Sequence, residues 1–177
     1  MSKELIACIV EGGAERAIID LLLDNRCLCF DREDLLDADL LLDKAARNAK
    51  TFQRRYLSRG YSLPIKVYRI LDNPKSDRFV LDEMYREKVS VINVVTSPEI
   101  EMLIIYAEGA YEDYLKKRMK PSDYCKSILK MPRVKEYDYV RDYFSDIDKL
   151  LEALEEYKRC TKKRKGELTI CDLVKEK

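Results

Sequence analysis

Three acidic residues stand where apolar, strand-like runs stop. Glu11 follows residues 5–10, Asp72 follows residues 65–71, and Glu101 comes shortly after residues 89–95. The 177-residue chain has no histidine. That removes Ser-His-Asp and Cys-His nucleophilic systems, histidine-ligated zinc proteases and nucleases with a histidine base. Acid–base and metal chemistry must then come from Asp, Glu, Lys, Tyr or Cys. With 33 acidic residues, carboxylates holding Mg²⁺ or Mn²⁺ are the leading expectation. A cation held that way activates water and stabilises charge on a phosphoryl group. It also relieves the mutual repulsion of clustered carboxylates.

The elements between the acids must bring them together. Residues 5–10 read as a strand covered on both faces, and Ala14, Ala17, Ile18, Leu21 and Leu22 recur at helical spacing after it. Residues 26–30 read as a short second strand, and a helix is expected over residues 39–59. Strands follow at 65–71 and 89–95, with a helix from Ser76 or Asp77 to Lys88 between them and another from Pro98 towards Ala107. Alternating strands and helices imply right-handed crossovers and a mostly parallel sheet flanked by helices, an α/β fold. All carboxyl ends then lie along one edge, where Glu11, Asp72 and Glu101 meet across a switch-point crevice. After Gly109 the chain turns helical and Tyr-rich. Pro121 starts a helix towards Met131, and Ser145-Asp146-Ile147-Asp148 caps one that carries Leu150, Leu154 and Tyr157 on one face. The expected organisation is an α/β domain over residues 1–130, with a helical C-terminal extension over 131–177 packed on it.

Each acid also has a local reading. Glu11 complements the dipole of the helix after Gly13, Asp72 starts an Asx turn, and Glu101 sits in a first helical turn. Gly12 and Gly13 offer backbone N–H groups to phosphate at a helix start, but neither Gly-Lys-Ser/Thr nor Gly-x-Gly-x-x-Gly accompanies them. The formal net charge of +1 argues against whole-surface attraction to nucleic acid or membrane. The six cysteines sit mostly in apolar or helical patterns and read as buried, reduced thiols. No run approaches the ~20 apolar residues of a membrane span, and the apolar run before Glu11 lacks the form of a secretory leader. A cytoplasmic protein without membrane association is the expectation.

These residues carry a resemblance. Ile9-Val10-Glu11-Gly12 resembles the first motif of Toprim domains, the catalytic α/β modules of topoisomerases, DnaG-type primases and OLD-type nucleases. Asp72-Asn73-Pro74 is similar to the second motif, Asp-x-Asp, with Pro74 at the second Asp and Asp77 the nearest substitute. Residues 96–103 are similar to the Asn-Pro-x-Phe-Glu-x-Trp-Leu segment of RloB-like proteins, Toprim-type proteins of restriction and phage-defence loci. Glu101 and Leu103 match, Ile100 and Met102 replace the aromatic residues, and the histidine that often follows is missing. The resemblance spans roughly residues 5–130. It implies a Rossmann-like Toprim fold and a Mg²⁺- or Mn²⁺-dependent nuclease, or another phosphodiester-acting enzyme of a defence or mobile-element setting, working on DNA or RNA. Glu11 becomes the general acid or base. Asp72, Glu101 and Asp77 become metal ligands, and Gly12, Gly13 and Lys75, with Arg78 nearby, contact phosphate. The alternative is a catalytically weakened Toprim-like module that binds a partner ATPase, which the near-neutral charge and Pro74 favour.

Overall fold

The three apolar runs form one parallel sheet in the order β1-β2-β3. A computed structural model describes residues 4–42, 44, 46–72, 79–97, 99–161 and 166–175. Strand β1 is Leu5–Ile9, β2 is Ile65–Leu71 and β3 is Val89–Val95. Helix α1 spans Gly13–Asp24, α2 Ala49–Tyr56, α3 Glu83–Arg86 and α4 Met102–Ala107. Then come α5 at Tyr111–Lys117, α6 at Pro121–Ser127, α7 at Tyr137–Tyr143 and α8 at Ile147–Cys160. The mixed α/β class with a small parallel sheet is as the sequence predicts.

Alternate strand residues feed two cores. Ile6, Cys8, Val10, Tyr68, Ile70 and Val94 join the larger one, with apolar residues of α1, α4, α7 and α8. Ala7, Ile9, Ile65, Val67 and Val89 join the smaller one, with Phe52 and Tyr56 of α2. Both faces of β1 and β2 are therefore covered, which is why they read as largely apolar runs, while the middle of β3 is exposed. Helix α7 packs on α1, and α8 packs on α4.

Leu35 and Leu41 bridge β1 in parallel on its outer side, at Ile6 and Ile9. The chain thus leaves β1 on one side, returns along it, and crosses to the other side for β2. Such a change of side leaves a crevice beyond the carboxyl ends of the two strands.

Several elements differ from the sequence expectation. Residues 26–30 form no strand. Leu28 makes a single antiparallel bridge to Val174, next to Arg26 at a positive φ of 54°. The helix expected over 39–59 begins only at Ala49. Upstream, Leu41 donates its N–H to Cys8 O at 2.8 Å, so that segment is committed to the sheet. The Asn48 side chain then accepts from Thr51 N–H at 3.1 Å and starts the helix there. The helix expected to end at Lys88 is, within the described residues, the single turn α3. Helix α4 starts at Met102 because Thr96 N–H is tied to Leu71 O and the Ser97 carbonyl to the Tyr157 hydroxyl. Helix α6 stops at Ser127, short of Met131. Among the described residues, no helix is long and apolar enough to cross a membrane.

Candidate functional site: a buried carboxylate cluster

The crevice beyond β1 and β2 is filled from three elements. Strand β2 delivers Asp72 just past its end, and Thr96, after β3, donates its hydroxyl to Asp72 Oδ1 at 2.8 Å. Glu101 is the residue that caps α4 and is 4 % exposed. Glu15 lies in the first turn of α1 and is 8 % exposed. Its carboxylate folds back over Gly12, where a Cβ would collide with it. Glycine at position 12 is what lets Glu15 turn inward.

The cluster holds more negative charge than its cations offset. Burial, then the hydrogen-bonded charge of Asp72 and the field of Glu101, push Glu15 up to about 7, against a hydrogen bond from its own backbone that pulls the other way. Burial likewise raises Glu101, opposed by Lys135 and reinforced by Glu99 and Asp72. Lys135 Nζ stands 3.6 Å from Glu101 Oε1. Its own burial works against its charge, but Glu101 and Glu99 outweigh that and raise it. Glu99 is the calmer neighbour. Burial works to raise it, but hydrogen bonds from Ser122, whose N–H lies 3.1 Å from its Oε2, and the Lys135 and Lys120 charges bring it below its ordinary value.

Gly13 ties the cluster to the C-terminal half of the chain. A Cβ there would sit 2.8 Å from the Lys135 carbonyl oxygen and 3.2 Å from Tyr137 N. The segment before α7 therefore packs directly on glycine backbone, and this seats Lys135 beside Glu101.

The residues singled out by sequence fall into three groups. Asp72 and Glu101 share the cluster. Gly12 and Gly13 shape it, with Gly12 as the helix cap. Glu11 is exposed, and its carboxylate makes no hydrogen bond or ion pair to a described residue. Only its carbonyl is engaged, by Arg47 Nη2 at 2.6 Å. Asp77, Lys75, Pro74 and Arg78 lie outside the described residues. Glu15 is the buried acid that sequence reasoning missed. Its signal was a glutamate three residues after a glycine that caps a helix, which reads equally as a first-turn dipole residue.

Among the described residues, no three His, Cys, Asp or Glu side chains stand ready-made around a metal position. The cluster is closed on itself, with Glu15 on Asp72 and Glu101 on Lys135. Its donor set, carboxylate oxygens alone, nonetheless suits a hard divalent cation. A cavity of about 460 Å³ lies elsewhere, lined by Arg26, Cys27, Leu151, Leu154, Lys158 and Cys171 among others, and it holds none of these acids. The cysteines are free thiols, with Cys8, Cys125 and Cys171 buried. No protein-family model, no curated protein and no solved structure matches the chain.

Proposed function

We propose that the chain is a divalent-metal-dependent enzyme acting on phosphodiesters of DNA or RNA, built on a Toprim-like fold. The observation that carries this reading is the crowding of Glu15, Asp72 and Glu101 at the carboxyl edge of a parallel sheet, which drives Glu15 to about 7. Structural acids are normally matched by cations, whereas a strongly perturbed acid in a crevice is the mark of a working site. Asp72, Glu101 and ionised Glu15 would hold Mg²⁺ or Mn²⁺. The cation would supply positive charge beside a phosphoryl oxygen.

The protein groups supply the rest. Without the cation Glu15 is half-protonated near neutral pH, so binding the cation would release its proton. Thr96 fixes the orientation of Asp72 through its hydroxyl. Lys135 moderates the charge of Glu101 and lies more than half exposed, where it can meet a phosphate. Glu11, exposed just after β1, is the candidate acid–base group. Nucleic acid is the fitting substrate class, with Mg²⁺ or Mn²⁺ as cofactor.

The decisive assay is nicking of supercoiled DNA, and cleavage of single-stranded DNA and RNA, with Mg²⁺ or Mn²⁺. Glu15→Gln and Asp72→Asn should each lower the rate by about 100-fold or more. Equal activity in both variants and the parent overturns the reading. The closed pairs Glu15–Asp72 and Glu101–Lys135 favour a second reading, a weakened module that acts as a partner-binding subunit of an ATPase complex. No cleavage with any substrate, together with copurification of an ATPase, supports it.

A further inference from the structure

The charge of the chain is nearly balanced as a whole but not along its length. Residues 116–135, which hold the end of α5, all of α6 and the approach to α7, carry eight Lys or Arg side chains and one acid, Asp123. Residues 136–157 reverse this, with eight acids against two cations. All the cations of the first stretch are exposed. Helices α5 and α6 pack on each other through Tyr114 and Tyr124, whose rings meet edge to face at 5.4 Å, and the Tyr124 hydroxyl donates to Asp113 of α5 at 2.9 Å. Helix α6 buries Tyr124 and Cys125 and leaves Lys126 outside.

Local rules account for only part of this basic stretch. Lys116, Lys117 and Lys126 sit in last helical turns, where cations suit the dipole. Lys120 is the N-cap of α6, where a cation opposes it. Arg118 and Lys130 hold φ angles of 49° and 59°, a left-handed conformation that glycine adopts without strain. Nor do acids use the cations up. Lys117 reaches Asp113, Arg133 reaches Glu136 and Lys135 reaches Glu101. Lys116, Arg118, Lys126 and Lys130 form no ion pair with a described residue. Like charges gathered in this way repel one another until a polyanion meets them. One end of the stretch lies at the acids: Ser122 donates its N–H to Glu99, and Lys120 and Lys135 both act on Glu99. From there α6 carries the charge outward to Lys126.

We propose that the basic surface of α5, α6 and the approach to α7 binds double-stranded DNA by its phosphates and leads it to the carboxylate cluster. The choice of nucleic acid as the polyanion rests on the function proposed above, while the surface itself rests on charge and exposure. Its chemistry selects a duplex. The one aromatic side chain of residues 116–135, Tyr124, is 1 % exposed, so unpaired bases find no stacking platform there. The exposed hydroxyl of the stretch, Ser127, donates to the Asp123 carbonyl, which leaves no neutral side chain to recognise the 2′-hydroxyls of RNA. What remains is a field of ammonium and guanidinium groups, and these meet the rigid, closely spaced phosphates of a DNA duplex without reading sequence.

Fluorescence anisotropy of a labelled short DNA duplex tests this, with the full chain in EDTA so that no metal-dependent cleavage intervenes and far-UV circular dichroism as the folding control. The dissociation constant should rise steeply with salt, with a log–log slope of about 3 or more in magnitude. Arg118→Gly combined with Lys130→Gly removes two cations at positions where glycine is unstrained. That pair should raise the dissociation constant about tenfold and lower the salt slope by about 2. Lys88→Gln combined with Lys158→Gln changes the net charge equally at exposed positions outside the stretch, and should leave binding within about twofold of the parent. Equal losses in the two pairs overturn the proposal. So does the absence of binding at low salt, or tighter binding of a single strand or an RNA duplex of the same length. Binding without cleavage sinks the proposed chemistry and leaves this surface standing. Cleavage by the parent, with a glycine pair that binds as the parent does, sinks this surface and leaves the chemistry.

Discussion

Helix α1 carries acids with opposite electrostatics: buried Glu15 in its first turn, and, more than a turn later, buried Asp20 with exposed Asp24. Asp20 is met by Arg32 at 2.7 Å, by Arg16 at 3.5 Å and by the Tyr137 hydroxyl at 3.1 Å. Asp24 is met by Arg32 and Arg141. Burial works to raise Asp24, but hydrogen bonds from Arg141 and Arg32 carry it below its ordinary value. Glu15, earlier on the same helix, meets Asp72 and Glu101 instead and is driven up to about 7. The Asp20–Asp24 set fastens α1 to α7 and to the turn at Arg32. The Glu15 set is linked by the hydrogen bond between Glu15 and Asp72, but its charges repel, and Lys135 alone offsets Glu101 among them. Burial alone does not mark a functional acid. Burial without matching cations is what raises Glu15.

The sharpest way to break this contrast is by rate. Glu15→Gln should cost about 100-fold or more in metal-dependent cleavage, while Asp24→Asn should leave the rate within about twofold of the parent, because a solvated pair far from the reaction contributes little. Comparable losses in both would erase the distinction. Next in size is stability. Asp20→Ala leaves Arg16, Arg32 and Tyr137 without their shared acceptor and should cost about 2–3 kcal/mol in urea unfolding.

The third effect reverses sign. Glu15 has an ordinary value of 4.5 and a folded value of about 7. A raised acid favours the folded state fully below the unfolded value and loses that advantage as pH climbs to the folded one. Parental stability should therefore fall between about pH 4.5 and 7, then level off. Glu15→Gln keeps a donor for Asp72 without a charge. It should match the parent at pH 4.5 and exceed it by about 2 kcal/mol at pH 8, read by urea unfolding at both values. Added Mg²⁺ should raise the parent's melting temperature more at pH 8 than at pH 6. A flat pH profile in the parent would remove Glu15 from the account. Smallest is Lys135→Met, worth under about 1 kcal/mol in stability because the ammonium is largely solvated. It should still shift the acid limb of the rate profile upward, since Glu101 loses the cation that lowers it.

What the sequence made legible follows from locality. Strands β2 and β3 keep the bounds of their apolar runs, because β-branched residues recur in both and they pair in unbroken register, even though β3 is covered only at its ends. The proline start of α6 and the Asp146 cap of α8 are equally local signals. The helical pattern from Asp39 to Leu42 yields to the sheet because pairing of Leu41 with β1 outweighs it. Asp72 and Glu101 were legible as acids after strands. Glu15 was not, because its inward turn depends on the missing Cβ of Gly12 and on Asp72, which arrives only past the end of β2.

The contact between Gly13 and the Lys135 carbonyl has a consequence in time. A chain is made from its amino end, and Lys135 leaves the ribosome after Glu15, Asp72 and Glu101 have all emerged. While it is being synthesised, the acid cluster lacks the cation that tempers it, and the seat on Gly13 stands empty. The cluster is complete only when the segment before α7 docks, so an arrangement begun by the first residues waits on the final third of the protein.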